Sequence, residues 1–173
     1  EHTRLTFALK GFNDTETVAL VGGGHSFGKT HGACPLGFGS LPNEEPANAY
    51  QGECGTGIAS DVYQSGFEGP WTTNPIHFDN EYFMNLVNFD WVQETSTGGK
   101  TQWGVVGQGG PRAPTPFQDE NSTIVSTQQI MMLTTDVAFL ADSSFRRIVQ
   151  KFAFDVESFS TAFENTWYKL TTQ

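Results

Sequence analysis

The densest reactive chemistry in the chain lies in Glu16–Cys34, ETVALVGGGHSFGKTHGAC. It sets one histidine, His25, in a glycine cluster and a second, His31, just behind Lys29 and Thr30. Two chemistries fit these letters. Gly23–Thr30 satisfies G-x-x-x-x-G-K-[ST], the pattern of a phosphate-binding loop whose backbone N–H groups and helix N-terminus face the phosphates. Alternatively, a helix hands the His25 imidazole to a metal ion. The flanks favour the second. A phosphate loop needs a strand before the glycines and a helix after the lysine. Here Asn13-Asp14-Thr15-Glu16 is a capping-box pattern opening a helix that holds Val18, Ala19, Leu20 and Val21. Downstream, HGACPLGFGS (His31–Ser40) cannot be helical. Gly22, Gly23 and Gly24 then remove bulk beside His25, so a large flat group can approach the backbone. Gly-Gly-His alone is met as well by a buried histidine beside a turn, and on that tripeptide this plainer reading is preferred.

The elements that must position His25 can be read from the rest of the chain. Glu1–Lys10 reads as the end of a helix with Leu5, Ala8 and Leu9 on one face, stopped by Gly11. His31–Gln64 is rich in Gly, Pro, Asn and Ser and is expected to be a long loop. Trp71 follows Gly69-Pro70, ordinarily the setting of a core anchor over a turn. Asp79 is placed to cap the helix DNEYFMNLVN. Phe89–Gln108 alternates around Trp91, Val92, Trp103 and Val105 with Gly98-Gly99 between, which predicts a hairpin. A Pro- and Gly-rich loop follows, then Gln128–Thr135 is short and extended and delivers Asp136. From Ser143 the spacing of Phe145, Ile148, Val149 and Phe152 is helical. Asp155 caps a last helix with Phe159, Ala162, Phe163, Thr166, Trp167 and Leu170 on its buried side, aromatics that belong to a core.

Length and charge bound the function. The chain has 173 residues, enough for one domain with a sizeable core. A net charge of −10 argues against nucleic acid and anionic membranes as partners. No apolar run is long enough to span a bilayer and no signal peptide is evident, so a soluble protein is expected. Fifteen phenylalanines imply apolar faces that need cover. Cys34 and Cys54 share one loop and make a poor zinc site. A disulfide is the better reading and implies an oxidising compartment; the alternative is two thiols in a cytosolic protein. The sequon Asn121-Ser122-Thr123 agrees with secretion, whereas Asn13-Asp14-Thr15 falls at a helix start. The expected location is extracellular, with cytoplasmic or mitochondrial as the alternative.

VALVGGGHSFGKTHGA (Val18–Ala33) resembles the proximal helix of the catalase-peroxidases over nearly every residue. SGFEGPWTTNPIHFDNEYFMNL (Ser65–Leu86) is similar to ascorbate peroxidase. MMLTTD (Met131–Asp136) and Phe159–Leu170 resemble cytochrome c peroxidase. All three are class I haem peroxidases, and the similarity runs almost end to end. The resemblance implies a mainly α fold, the proximal half of the haem-peroxidase fold, with a small β hairpin and long loops. The family's distal half, with its arginine, aromatic residue and histidine above the iron, has no counterpart here. A distal-half partner chain is therefore expected.

What the resemblance implies about the site is specific. His25 matches the axial ligand of a haem b iron. Asp136 matches the carboxylate behind it, which makes the imidazole more imidazolate-like and lowers the iron's reduction potential. Trp71 matches the proximal tryptophan whose indole N–H shares that carboxylate. His31 matches the residue that meets a haem propionate, with Gly28, Lys29 and Thr30 along the same edge. Ser26, Thr72, Asn74, Asp79 and the His77 carbonyl match the ligands of a potassium or calcium ion in ascorbate peroxidase, a hard-oxygen set; an ordinary capped turn is the plain alternative. If filled, that site disfavours a cation radical on Trp71; if empty, Trp71 can carry one. Two departures matter. Lys10 stands where catalase-peroxidases cross-link a methionine, so strong catalase activity is not expected. Cys34 stands where ascorbate peroxidases have an arginine, which puts ascorbate as donor in doubt. The expected reaction reduces hydrogen peroxide and oxidises an unidentified one-electron donor. A non-enzymatic haem-binding remnant and a phosphate-loop nucleotide hydrolase are the alternatives.

Overall fold

The computed structural model describes residues 2–31, 67–96, 101–107, 109–114 and 127–172. Cys34, Cys54, the Asn121 sequon and the Gly98-Gly99 turn lie outside the described residues. The mainly α expectation holds: among the described residues there are six helices and three small antiparallel sheets. The helices are α1 (His2–Ala8), α2 (Asp14–His25), α3 (Glu81–Asn88), α4 (Thr134–Ala141), α5 (Ser143–Phe154) and α6 (Val156–Thr172). None is long and apolar enough to cross a membrane.

Helix α2 forms because its first turn is capped as the sequence suggests. Asn13 Oδ1 accepts from the Glu16 N–H at 2.9 Å, and Glu16 Oε2 accepts from the Asn13 N–H at 2.8 Å. The helix buries Thr17, Val18 and Ala19 and packs against α5 and α6. Around it, Phe83, Phe139, Phe145, Phe152 and Phe159 interdigitate largely edge-on with Leu86 and Val149. Each fully buried phenylalanine contributes about 1.5–3 kcal/mol of transfer free energy. That is where much of the phenylalanine content goes.

The three glycines before His25 do not all serve an incoming flat group. A Cβ at Gly22 would collide with the Phe83 ring, and one at Gly23 with the Phe163 ring; only Gly24 has open space beside it. Two of the three glycines thus let protein rings seat against the helix backbone. Gly22→Ala and Gly23→Ala are each expected to destabilise the protein by about 1–3 kcal/mol through overpacking. Gly24→Ala gains helix propensity of up to about 1 kcal/mol without a clash. Urea denaturation of the three variants checks the contrast.

Helix α1 buries no residue. Its expected apolar face is bare, with Leu5 and Leu9 both exposed. Arg4 holds it down. The guanidinium pairs with Asp14 at 2.7 Å and Asp142 at 2.8 Å, and lies over the Phe145 ring. Hydrogen bonds from Arg4 hold both carboxyl groups below the usual carboxylate range. Their contribution is therefore present at neutral pH and fades as the pH falls through those lowered values.

Three further elements differ from expectation. Asp79 is not the N-cap of α3; the helix starts at Glu81 after Asn80, and Asp79 Oδ1 instead accepts from the Glu81 N–H two residues on. Thr134 and Thr135 are not extended but open α4, so Asp136 sits in a helix's first turn. On α6, Phe159 and Thr166 are buried as expected, but Trp167 is 53% exposed and Leu170 40%. Among the described residues, that side of α6 is only partly covered. The Asp155 cap is as read: its Oδ1 accepts from the Ser158 N–H at 2.9 Å.

The strands close the gap between distant parts of the chain. Strands β1 (Lys29–His31) and β2 (Glu68–Pro70) pair antiparallel, with Lys29 opposite Pro70. This ties the segment after His25 to the segment before Trp71. The expected hairpin is β3 (Trp91–Thr95) against β4 (Thr101–Val105). β5 (Arg112–Pro114) pairs with β6 (Thr127–Gln129), and β7 (Met131–Met132) adds to β4. β7 leads directly into α4 and Asp136.

Candidate functional site

The pairing of β1 with β2 brings His25 and Trp71 face to face. Their ring centroids are 3.8 Å apart and the planes differ by 8°. A stacked pair of this kind adds about 0.5–1.5 kcal/mol beyond the area it buries. Trp71 is buried, and its backbone carbonyl accepts from Asn85 Nδ2 of α3. The Asn85 amide also reaches Glu81, whose carboxylate takes the Thr73 N–H at 2.7 Å. The tryptophan is therefore held by these bonds on its C-terminal side, by the β1–β2 pairing just before it, and on its face.

Asp136 closes the group from α4. Its carboxylate is fully buried. Oδ2 accepts from Trp71 Nε1 at 3.0 Å and from the Leu133 N–H at 2.7 Å. Oδ1 accepts from the Tyr82 hydroxyl at 3.1 Å and stands 3.3 Å from His25 Nδ1. That last approach is an ion-pair distance without hydrogen-bond alignment, and Nδ1 is buried with no other acceptor. A buried carboxylate is tolerable only with such donors. The positive end of α4 adds to them.

The His25 ring as a whole keeps 19% of its side-chain surface exposed. Since Nδ1 is buried, that exposure lies on the rest of the ring. Gly24, directly beside it, is exposed and open. Gly28 follows with φ of 65° and nothing near where a Cβ would stand. An imidazole with one nitrogen backed by a carboxylate, one face stacked on an indole and part of its side chain exposed near two open glycines suits a ligand to a planar metal group. The expected haem fits these residues on that ground. Lys29 and Thr30 lie half-buried in β1 along the same run, and His31 is the last residue of that strand. The phosphate-loop reading meets the wrong structure: Gly23 and Gly24 are helical, and Lys29 and Thr30 are in a strand. Among the described residues no helix begins directly after the lysine: Thr30 and His31 continue the strand.

The expected cation ligands are partly assembled. Ser26 is fully buried, and its hydroxyl lies within donor distance of both the Gly22 carbonyl and the Asp79 carbonyl. Thr72 is buried and its Oγ1 has no partner. An orphaned hydroxyl oxygen is what a hard cation would satisfy. Asn74 and His77 sit in an exposed turn, joined by the His77 N–H donating to the Asn74 carbonyl. The Asp79 carboxylate is partly engaged by Glu81, as described above.

Sequence reasoning missed Tyr82 and Asn85. Both lie on the buried side of α3. The signal was available: a tyrosine among apolar residues on a buried helix face must find a partner for its hydroxyl.

A sequence model of the family described as Peroxidase matches residues 1–155. The catalase-peroxidase of Novosphingobium aromaticivorans is 39% identical over 97% of this chain and 22% of its own length. That of Caulobacter sp. (strain K31) is 40% identical over 97% of this chain and 23% of its own length. The catalase-peroxidase of Natronomonas pharaonis is 38% identical over 96% and 24%. The chain thus spans about a quarter of the length of these relatives.

Proposed function

This chain belongs to the peroxidase family, and from that premise we propose that it is the proximal half of a haem b peroxidase completed by a distal half outside it. The observation that carries the reading is the stack of His25 on Trp71, with Asp136 behind both and an open side in front. Bound there, haem iron supplies the reduction of hydrogen peroxide and the one-electron oxidation of a donor. His25 would hold the iron through its ring nitrogen. Asp136 places negative charge behind its buried Nδ1, which raises ligand basicity and favours the oxidised metal. Trp71 fixes the plane of the imidazole by stacking and is itself held by the same carboxylate. Gly28, Lys29 and Thr30 would border the group, and His31 is the residue that the resemblance assigns to a propionate.

The acid–base pair that breaks the peroxide bond belongs to the distal half. The exposed Leu5 of α1, Leu9 just after it, and the exposed Phe27, Ile76, Trp167 and Tyr168 agree with a chain that is covered by further protein. A potassium or calcium ion held by Ser26, Thr72, Asn74, His77 and Asp79 is part of the proposal, supported by the orphaned Thr72 hydroxyl.

The experiment loads this chain together with its distal half, as one polypeptide or as two, with haemin. A Soret band and peroxide-dependent oxidation of a one-electron dye donor are expected. A protein that stays colourless with its distal half present overturns the proposal. ATP or GTP binding abolished by Lys29→Ala would instead favour the phosphate-loop hydrolase.

A further inference from the structure

The Asp136 carboxylate has two oxygens and four claims on it. Oδ2 is fully used by Trp71 Nε1 and the Leu133 N–H. Oδ1 is the oxygen nearest His25 Nδ1, and it already accepts from Tyr82. The Tyr82 bond is aligned; the His25 approach, 0.2 Å longer (3.3 against 3.1 Å), is not. The two donors draw on the charge of one atom, which has room for both. Charge drawn toward the phenol is charge that the imidazole N–H does not meet.

From this geometry we infer that Tyr82 is a positioning residue that sets how strongly Asp136 pulls on His25, and so tunes the metal from behind its ligand. The inference rests on the haem reading proposed above and deepens it. Two observations support it. Tyr82 is completely buried on α3, so water cannot substitute for its hydroxyl. Its ring stands edge-on to His25 with centroids 5.3 Å apart, and its hydroxyl meets the same carboxylate oxygen that His25 Nδ1 approaches. A hydroxyl that donates to Oδ1 weakens that oxygen as an acceptor for the imidazole N–H. The ligand is then a hydrogen-bonded imidazole with restrained imidazolate character.

The sign follows. Tyr82→Phe keeps the ring and removes only the hydroxyl. Oδ1 is freed for His25 Nδ1, the ligand becomes a stronger donor, and the oxidised metal is favoured. In the haem-loaded full polypeptide, Tyr82→Phe is expected to lower the Fe(III)/Fe(II) midpoint potential. It is also expected to raise the iron–histidine stretching frequency of the ferrous form. A packing role alone would move neither in a fixed direction. Because Tyr82 acts through the carboxylate, both shifts should vanish when Tyr82→Phe is made in an Asp136→Ala background. Urea denaturation confirms that each variant is folded.

An unchanged or raised potential in folded, haem-loaded Tyr82→Phe overturns the inference while leaving the haem reading intact. So does a shift that persists without Asp136. Failure of the unsubstituted protein to bind haem through His25 overturns both, and the absence of an iron–histidine band identifies that case.

Discussion

Asp136→Ala is expected to lower the unfolding free energy of the haem-loaded protein by about 3–5 kcal/mol, the range for removing one partner from a buried charged network. The carboxylate satisfies Trp71 Nε1, the Tyr82 hydroxyl and the Leu133 N–H at once. Each donor left buried and unpaired costs about 1–3 kcal/mol. Rearrangement around the gap keeps the total below their sum. Asp136→Asn separates structure from electronics. Its carbonyl oxygen can face Trp71 and Leu133 while its NH2 group faces Tyr82, whose hydroxyl can turn to accept. Stability should then fall by only about 1–2 kcal/mol, roughly one buried hydrogen bond. The acceptor behind His25 is lost all the same, so the midpoint potential should rise in both variants. Urea denaturation and spectroelectrochemical titration measure the two effects. An alanine variant within about 1 kcal/mol of the original protein would mean that the network described here does not hold the site together.

The second large effect is on the ligand. Partners behind a metal ligand typically cost 10- to 100-fold when removed. On the haem reading proposed above, His25→Gly removes the axial nitrogen itself and should reduce peroxide turnover by more than about 100-fold, past that outer-partner range. The glycine leaves a slot one imidazole wide against the face of Trp71, with Asp136 behind it. Added imidazole should therefore restore a measurable part of the rate, read by stopped-flow mixing with hydrogen peroxide. Rescue should disappear when Trp71→Ala is added, since the wall of the slot goes with it. Full activity in His25→Gly would remove this residue from the axial position.

Much of this arrangement was legible in the sequence. The capping box of Asn13 and Glu16, the hairpin from Phe89, the helix from Ser143 and the Asp155 cap are local signals, each written within a few residues. The link from His25 to Trp71 and Asp136 is not local: Trp71 and Asp136 alone are 65 positions apart. It could be expected only through resemblance to a family. What escaped was pairwise and tertiary. Nothing near Gly22 or Gly23 names Phe83 or Phe163 as the rings that would fill their place. Trp167 and Leu170 fit the apolar stripe of α6, but a stripe says which residues could be covered, not whether anything covers them. Asp79 was read as a cap because it precedes the helix; the chain turns at Asn80 first, and the same carboxylate serves an N–H two residues on.

The rings set against Gly22 and Gly23 have a mechanical consequence. Phe83 comes from α3 and Phe163 from α6, so α2 is pinned from two directions within its last turn, just ahead of the imidazole. A helix held that way can neither roll about its axis nor slide along it. The azimuth of His25 is then set by two phenyl groups seated against the helix backbone rather than against the imidazole. Repacking at either remote position would register as a rotated ligand field, visible by electron paramagnetic resonance, before it registered as a loss of fold.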